Sequence, residues 1–322
     1  MPQAIIKCPV CDSASTSRWS ERLWPMPGEQ GGFYYRRCSG CGTVFCEPLP
    51  TVQQLDAYYR NHFNYGWYQQ HLALKKIQAG QRWRRVASLL RRHRIPRGQL
   101  LDIGCGHGLF LASARRAKWA AAGVDYPSLA TRYAQDKLGL TVAEGDLRTV
   151  IAEKKIKASQ FDLVTAWHCL EHDTDPLSFM EGIKTVLAPG GKVLVAVPNA
   201  GALGMKLMGE NWVWCQQPYL HVFHFTEKSL SLLARRAGLN VLAAWTRDTW
   251  DAQPFYDAYA AAHKMRWLKG LGRRRAFWLD EGMRLGSYAA TCGNHWLMGR
   301  ERADGLGSEL LLLADKGTTK AK

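Results

Sequence analysis

The chain has 322 residues, of which 47% are hydrophobic and 22% are charged. This composition is typical of folded soluble proteins and leaves room for one large domain plus a smaller module. No run of eighteen apolar residues and no signal-peptide stretch is present, so we expect a cytoplasmic protein without a membrane span. The formal net charge of +16 favours anionic partners, such as RNA, nucleotide diphosphates, acidic glycans or lipid headgroups, without choosing among them.

Two C-x-x-C pairs lie in the first fifty residues. Cys8 and Cys11 form the first pair, and Cys38 and Cys41 form the second after a gap of 26 residues. Four thiolates in this spacing predict a tetrahedral zinc site, with an iron–sulfur cluster or unbound thiols as alternatives. A module this small needs the stabilisation that metal binding supplies. We therefore expect residues 1–50 to form a zinc ribbon with structural Zn²⁺.

Residues 51–98 are expected to be helical and basic. Nine Lys or Arg residues and no acidic residue lie between Lys75 and Arg97, which predicts either an anion-binding face or a solvated helix face. The apolar positions of this segment follow a near-helical spacing, with arginines on the other side: Ile77, Trp83, Val86, Leu89 and Leu90. Pro96 should end the helix.

From residue 99 onward, apolar runs alternate with helical patterns. This alternation predicts an α/β fold with a mainly parallel sheet that is covered on both faces. The expected strands are LLDI, AAGVD, LTVAE, FDLVTAW, KVLVAV, NVLAAW and ELLLLA.

A glycine-rich loop follows the first of these strands. Asp102, Gly104, Gly106 and Gly108 make the pattern D-x-G-x-G-x-G. Glycines let the backbone approach a ligand closely, and the start of the following helix offers N–H donors. A nicotinamide-binding fingerprint would need Gly or Ala at position 109, where this sequence has Leu109.

The glycine spacing resembles motif I of the class I S-adenosylmethionine (SAM) methyltransferases. That resemblance implies a Rossmann-like sheet of seven strands over residues 99–322, with SAM bound by the glycine loop and Asp102. It also implies that Asp125, after the second strand, holds the ribose hydroxyls, and that Asp146 and Leu147, after the third, contact adenine. Trp167 and His168, after the fourth, would lie near the methionine portion.

The loop HCLEH after the fourth strand contains His168, Glu171 and His172. The order differs from the H-E-x-x-H pattern of zinc proteases. We therefore expect no metal in this loop.

The stretch PYLHVFHFT precedes a predicted helix with Thr226 as its N-cap and Gly238 beyond its end. His221 and His224 are three residues apart, so in extended backbone they point to opposite faces and should not share a metal. Trp212 and Trp214 lie shortly before this stretch in the sequence. In an extended strand both would point to one side, where they would either line the substrate site or pack against apolar residues.

The layout of cysteine module and core resembles a methyltransferase branch that includes sugar C-methyltransferases. In these enzymes the histidine of an H-x-x-x-F-[ST] pattern is the base, and His221, Phe225 and Thr226 match it. The resemblance implies that His221 is a general base, although Leu220 replaces the glutamate that precedes this histidine in the sugar enzymes. A hydrogen bond that orients the substrate and a purely structural role are the alternatives for His221. A histidine can remove a hydroxyl or activated C–H proton at neutral pH.

Three functions remain open at this point. The first is methyl transfer from SAM to a small-molecule or glycan acceptor, with an anionic sugar or sugar nucleotide as the acceptor class. The second is RNA methylation, with the basic face and the zinc ribbon binding phosphates. The third is a non-catalytic protein that binds SAM or a partner. The predicted helical insertion at about 255–305, with a second basic cluster at 264–275, could be a lid, an oligomer surface or a membrane-surface contact.

Overall fold

The computed structural model describes residues 6–25, 31–61, 72–126, 128–215, 220–247 and 301–317. Residues 255–300 of the predicted insertion, with the second basic cluster, lie outside the described residues. Within the described residues, no helix combines the length and apolar character needed to cross a membrane.

The N-terminal region forms a small antiparallel sheet. Its strands are β1 (Thr16–Arg18), β2 (Trp24–Pro25), β3 (Gly32–Cys38) and β4 (Val44–Glu47). The strand order is β1-β3-β4, with β2 paired to β3, and the far edge is completed by a strand from the core of the chain. That strand, β10 (Phe223–His224), pairs antiparallel with β4. Phe223 and His224 therefore share one sheet with the cysteine module.

Two helices connect this sheet to the core, α1 (Val52–Asn61) and α2 (Leu72–Arg92). Helix α2 ends before Pro96, as predicted, and Val86 and Leu90 are buried. Two details of the predicted α2 face are wrong. Ile77 is 38% exposed, and the guanidinium of Arg82 turns inward, 5.3 Å from the ring centroid of a buried tryptophan.

The core is a sheet whose strands follow the predicted apolar runs. They are β5 (Gln99–Ile103), β6 (Ala120–Asp125), β7 (Thr141–Glu144), β8 (Phe161–Trp167), β9 (Leu187–Pro198), β11 (Asn240–Arg247), β12 (Glu301–Arg302) and β13 (Glu309–Asp315). The order is β12-β11-β13-β9-β8-β5-β6-β7. Strands β5 to β9 are parallel, while β13 runs antiparallel to both of its neighbours, β9 and β11. The predicted Rossmann-like sheet of seven strands is confirmed, with β12 added at one edge.

Helices cover both faces of this sheet and enclose two buried clusters. They are α3 (Leu109–Arg116), α4 (Leu129–Arg132), α5 (Leu147–Ala152), α6 (Pro176–Val186), α7 (Leu203–Met208) and α8 (Glu227–Arg236). Helix α8 begins at the predicted N-cap, where Thr226 and Ser229 form a capping box. Gly238 follows its end with a φ of 74°, as a left-handed helix terminus requires.

The segment between α7 and β10 differs from the sequence prediction. Gly209–Asn211 and Val213–Cys215 form 3₁₀ turns instead of an extended strand. Trp212 and Trp214 consequently have different surroundings. Trp212 is buried with its ring centroid 6.2 Å from that of His224, and Trp214 stacks on His168.

Candidate active site

The glycine loop after β5 adopts left-handed backbone at three positions, with φ values of 69° at Gly104, 51° at Gly106 and 67° at Gly108. A Cβ atom added to Gly106 would meet no atom within 4 Å, so this residue borders open space. A Cβ atom on Gly104 would lie only 2.0 Å from Sγ of Cys169. The loop thus has room for a ligand at Gly106 and packs directly on the segment that follows β8.

Asp125 ends β6 beside this loop. Its Oδ2 accepts from the backbone N–H of Gly106 at 2.6 Å, and its Oδ1 accepts from the N–H of Tyr126 at 2.8 Å. Burial raises the pKa of Asp125, and these two amide donors oppose that shift. Tyr59 of α1 stacks on Tyr126 at 6.5 Å between ring centroids. A carboxylate held by two amides keeps further lone pairs for the hydroxyls of a ribose.

Asp102 lies one step deeper, within β5. Its Oδ1 accepts from Oγ1 of Thr165 at 2.6 Å, and its side chain is buried. Burial raises its pKa to about 7, against the opposing effects of Thr165 and Arg82. Asp102 therefore ties β5 to β8 beneath the glycine loop.

Asp146 caps α5 at the end of the third strand of the core. Its carboxylate accepts from the N–H groups of Arg148 and Thr149 and from Oγ1 of Thr149. Burial tends to raise the pKa of Asp146, but these bonds and the Arg148 charge outweigh it and lower the pKa. Leu147 is 3% exposed and packs in the core. An adenine contact of this pair stays a prediction.

Trp167 and His168 face different parts of the molecule. Trp167 is buried against Phe110, with 5.6 Å between ring centroids, and lies under Arg82. His168 places Nδ1 3.2 Å from Glu171 and Nε2 2.7 Å from Glu309. Burial lowers the pKa of His168, but the two carboxylates outweigh it and raise the pKa to about 10. A histidine that stays protonated at neutral pH cannot act as a proton acceptor.

The ring of His221 is held in its neutral form, in contrast to that of His168. Its Nδ1 lies 2.8 Å from the backbone carbonyl oxygen of Trp214. Because a carbonyl can only accept, Nδ1 carries the proton and the lone pair of the neutral ring is on Nε2. Burial, followed by the neighbouring His172 and His224, lowers the pKa of His221 well below its usual value.

His224 lies in the small sheet with a structural set of contacts. Its Nε2 is 3.2 Å from the hydroxyl of Tyr35, and the two rings pack edge to face at 5.2 Å. Burial, with a smaller effect of His172, lowers the pKa of His224 to about 3.

Sequence reasoning missed the neighbours that the fold gives to His221. A ring nitrogen of His221, a ring nitrogen of His172 and a carboxylate oxygen of Glu171 lie within 4.8 Å of one another. The rings of His172 and His221 are 4.9 Å apart. These residues come from two distant segments, so no local spacing pattern reports their proximity.

The four predicted zinc ligands form one cluster. The Sγ atoms of Cys8 and Cys41 are 3.7 Å apart, those of Cys11 and Cys38 are 3.5 Å apart, and all four lie within 4.8 Å. Tetrahedral Zn–S bonds of about 2.3 Å place sulfurs about 3.8 Å apart. The four thiols therefore fit a zinc ion.

Comparisons with known proteins identify a methyltransferase domain in this chain. A family model for the methyltransferase domain matches residues 74–244. The ubiquinone biosynthesis O-methyltransferase of Cereibacter sphaeroides is 31% identical over 151 residues, which cover 44% of this chain and 60% of that enzyme. The enzyme of the same name from Pseudomonas aeruginosa is 32% identical over 153 residues, covering 44% of this chain and 65% of the enzyme. The chain thus matches less than two thirds of the length of these curated relatives.

A solved structure shows the same fold. It is a SAM-dependent methyltransferase from Thermotoga maritima, described as a possible histamine N-methyltransferase. The alignment covers 81% of this chain and 99% of that chain with a TM-score of 0.51. The sequence identity is 16%, so the likeness concerns the fold alone.

Proposed function

The chain belongs to the methyltransferase-domain family as a SAM-dependent methyltransferase, and we propose that it methylates a small-molecule or glycan acceptor. The acceptor class we propose is an anionic sugar or sugar nucleotide that carries a hydroxyl group. One observation carries this proposal. The segment with His168, Glu171 and His172 packs on the glycine loop through Cys169, and His221 lies against that segment.

The glycine loop and Asp125 fit the cofactor. SAM supplies an electrophilic methyl group on a sulfonium centre. Gly106 leaves room beside the loop, and Asp125 has lone pairs free for two ribose hydroxyls. We assign the remaining cofactor contacts to Asp102, Gly104, Gly108, Asp146, Leu147, Trp167 and His168, as the family resemblance implies.

We assign His221 to the removal of the acceptor's proton. The nucleophile must lose a proton as its lone pair forms the new bond to carbon, while the carbon–sulfur pair passes to sulfur. The Nε2 lone pair of His221 is available for this step because Nδ1 is bonded to Trp214. His168 is unsuited to it, since two carboxylates hold its proton. A positioned base typically contributes a factor of about 10² to 10⁴ in rate.

We propose that the cysteine cluster holds a structural zinc ion. Three of its four thiols are buried, and none of the four belongs to the group around His221. All eight cysteines within the described residues are free thiols, which fits a reducing compartment. We therefore propose a cytoplasmic location.

RNA methylation is the alternative that the basic helix α2 supports. If helix α2 contacts several phosphates, the affinity for RNA should fall by orders of magnitude as the salt concentration rises. Against this alternative, the curated relatives are named for methylation of a small molecule.

The test uses purified zinc-loaded protein and methyl-labelled SAM with four acceptor pools: nucleotide sugars, free glycans, phenolic small molecules and RNA. We expect label in the nucleotide sugar pool. Label in phenols would move the acceptor class away from sugars, and nuclease-sensitive label would establish the RNA alternative. Absence of label from all four pools would refute the small-molecule proposal.

A further inference from the structure

Glu171, His172 and His221 converge in a way that the methyl-transfer proposal does not explain. Their candidate ligand atoms lie within 4.8 Å of one another, and Nε2 of His172 is 3.9 Å from Oε1 of Glu171. Two imidazoles and one carboxylate are a ligand set that binds divalent first-row transition metals.

In both histidines Nδ1 faces a backbone carbonyl oxygen, which is the arrangement that metal-ligating histidines adopt. Nδ1 of His172 lies 2.6 Å from the carbonyl oxygen of Leu220, and Nδ1 of His221 lies 2.8 Å from that of Trp214. Both Nδ1 atoms must therefore carry protons, which leaves the lone pair of each neutral ring on Nε2. Metal-ligating histidines almost always donate their other N–H to a carbonyl or carboxylate in this manner.

Glu171 supplies an independent observation. Its side chain is completely buried, and Oε2 has no hydrogen-bond partner. Its Oε1 lies 3.2 Å from Nδ1 of His168, and an ionised carboxylate only accepts, so Nδ1 is the donor. A buried carboxylate oxygen without a partner is costly, and a bound cation would satisfy it. The bond from His168 would then orient the ligating carboxylate.

We propose that Glu171, His172 and His221 bind one divalent first-row transition-metal ion, distinct from the zinc of the cysteine cluster. Three protein ligands leave positions open on such an ion, and the acceptor's oxygen takes one of them. The ion lowers the pKa of the acceptor hydroxyl. The O–H bond breaks with its proton passing to water, the oxygen bonds to the methyl carbon, and the carbon–sulfur pair goes to sulfur.

This inference rests on the proposed function for its role, since it makes an ion held by His221, and not the ring alone, the agent of deprotonation. The binding itself can be tested without turnover. The probe is Co²⁺ added to wild-type protein that holds one zinc ion per chain, with bound metals counted after equilibrium dialysis. We expect one Co²⁺ per chain in addition to one zinc. No bound Co²⁺ beyond the zinc would overturn the inference.

The ligands are tested by E171Q, H172A and H221A, each checked for folding by circular dichroism and for SAM binding by calorimetry. Each should weaken Co²⁺ binding at least tenfold, while H93A, which removes a histidine of another region, should not change it. Retained binding in folded E171Q, H172A and H221A would overturn the proposal. X-ray absorption of the wild-type cobalt protein should show imidazole scattering without sulfur, and sulfur ligands would also overturn it.

Activity separates the inference from the proposed function. If methyl transfer occurs, is insensitive to a chelator that leaves zinc in place, and no Co²⁺ binds, the inference fails and the proposed function stands. If Co²⁺ binds at the three ligands but none of the acceptor pools is methylated, the proposed function fails and the metal site stands.

Discussion

The hydroxyl of Tyr35 donates a hydrogen bond of 2.9 Å to the backbone carbonyl of His221, across 186 residues of sequence. Tyr35 is fully buried in the small N-terminal sheet. The N–H of Cys46 adds a second bond, 2.8 Å to the carbonyl of Val222. The cysteine module thus fixes the position of the segment that carries His221. The zinc that we propose would support the active site by stabilising this module, without contacting the substrate.

Loss of the proposed zinc should therefore reduce methyl transfer. In C11S and C38S, we expect zinc content to fall from one per chain to none and turnover to fall at least tenfold, because the sheet that holds His221 loses its metal support. Metal analysis and labelled methyl transfer measure both effects. The control is C46S, a buried cysteine outside the cluster, which should keep its zinc. Full turnover in a zinc-free variant would contradict this link.

Asp125 should determine cofactor affinity. Removing its carboxylate in D125A deletes hydrogen bonds between a charged group and the ribose hydroxyls, each worth about 1.5–3 kcal/mol. We expect the Kd for SAM, measured by calorimetry, to rise by roughly a hundred- to ten-thousandfold. D136A removes an exposed carboxylate and should leave the Kd unchanged. Equal affinity of D125A and wild type for SAM would show that Asp125 does not bind the cofactor.

Gly106 should be needed for its backbone conformation and its missing side chain. At a φ of 51°, alanine costs about 1–2 kcal/mol, and its Cβ enters the open space beside the loop. We expect G106A to be less stable in urea and to bind SAM more weakly. The matched control is G80A, within helix α2 and without neighbours within 4 Å, which should gain about 0.5–1 kcal/mol. SAM affinity unchanged in G106A would contradict the placement of the cofactor at this loop.

The pH dependence of the unfolding free energy should show that the charged carboxylate of Asp315 stabilises the fold. Its carboxylate accepts from Lys192 on β9 and from Asn240 on β11. Burial tends to raise the pKa of Asp315, but these bonds outweigh it and lower the pKa. A lowered folded-state pKa gives stability that is present above the unfolded pKa of about 3.9 and is lost as pH falls through the folded value.

The difference in unfolding free energy between wild type and D315N should therefore be largest at neutral pH and should shrink in acid. We expect about 1 kcal/mol at pH about 7, measured by urea unfolding, and a smaller difference at pH about 3. A difference that stays constant across this range would show that Asp315 stabilises the sheet without its charge.

The features that sequence predicted are local ones. Each core strand is a continuous apolar run, so seven strands could be located without knowing their neighbours. The left-handed turns at Gly104 and Gly106 need glycine, and the glycines are visible in the sequence. The predicted N-cap at Thr226 likewise depends only on the residues next to it in the sequence.

The features that sequence did not predict depend on contacts between distant segments. No periodicity indicates that Phe223 and His224 add a strand to the N-terminal sheet. The proximity of Glu171 and His172 to His221 arises because the segment after β8 contacts the segment before α8, where Nδ1 of His172 lies 2.6 Å from the carbonyl oxygen of Leu220. Trp214 was misplaced because the 3₁₀ turn around it lacks a turn-forming glycine or proline.

The most direct test of the account compares H221A with wild type for methyl transfer from labelled SAM to the acceptor pool that the wild type labels, with SAM affinity measured on the same samples. We predict that turnover falls by a factor of about 10² to 10⁴ while the Kd for SAM stays within about twofold, since we assign cofactor binding to Asp125 and the glycine loop and not to His221. Unchanged turnover in a folded H221A protein would contradict the assignment of the active site to His221.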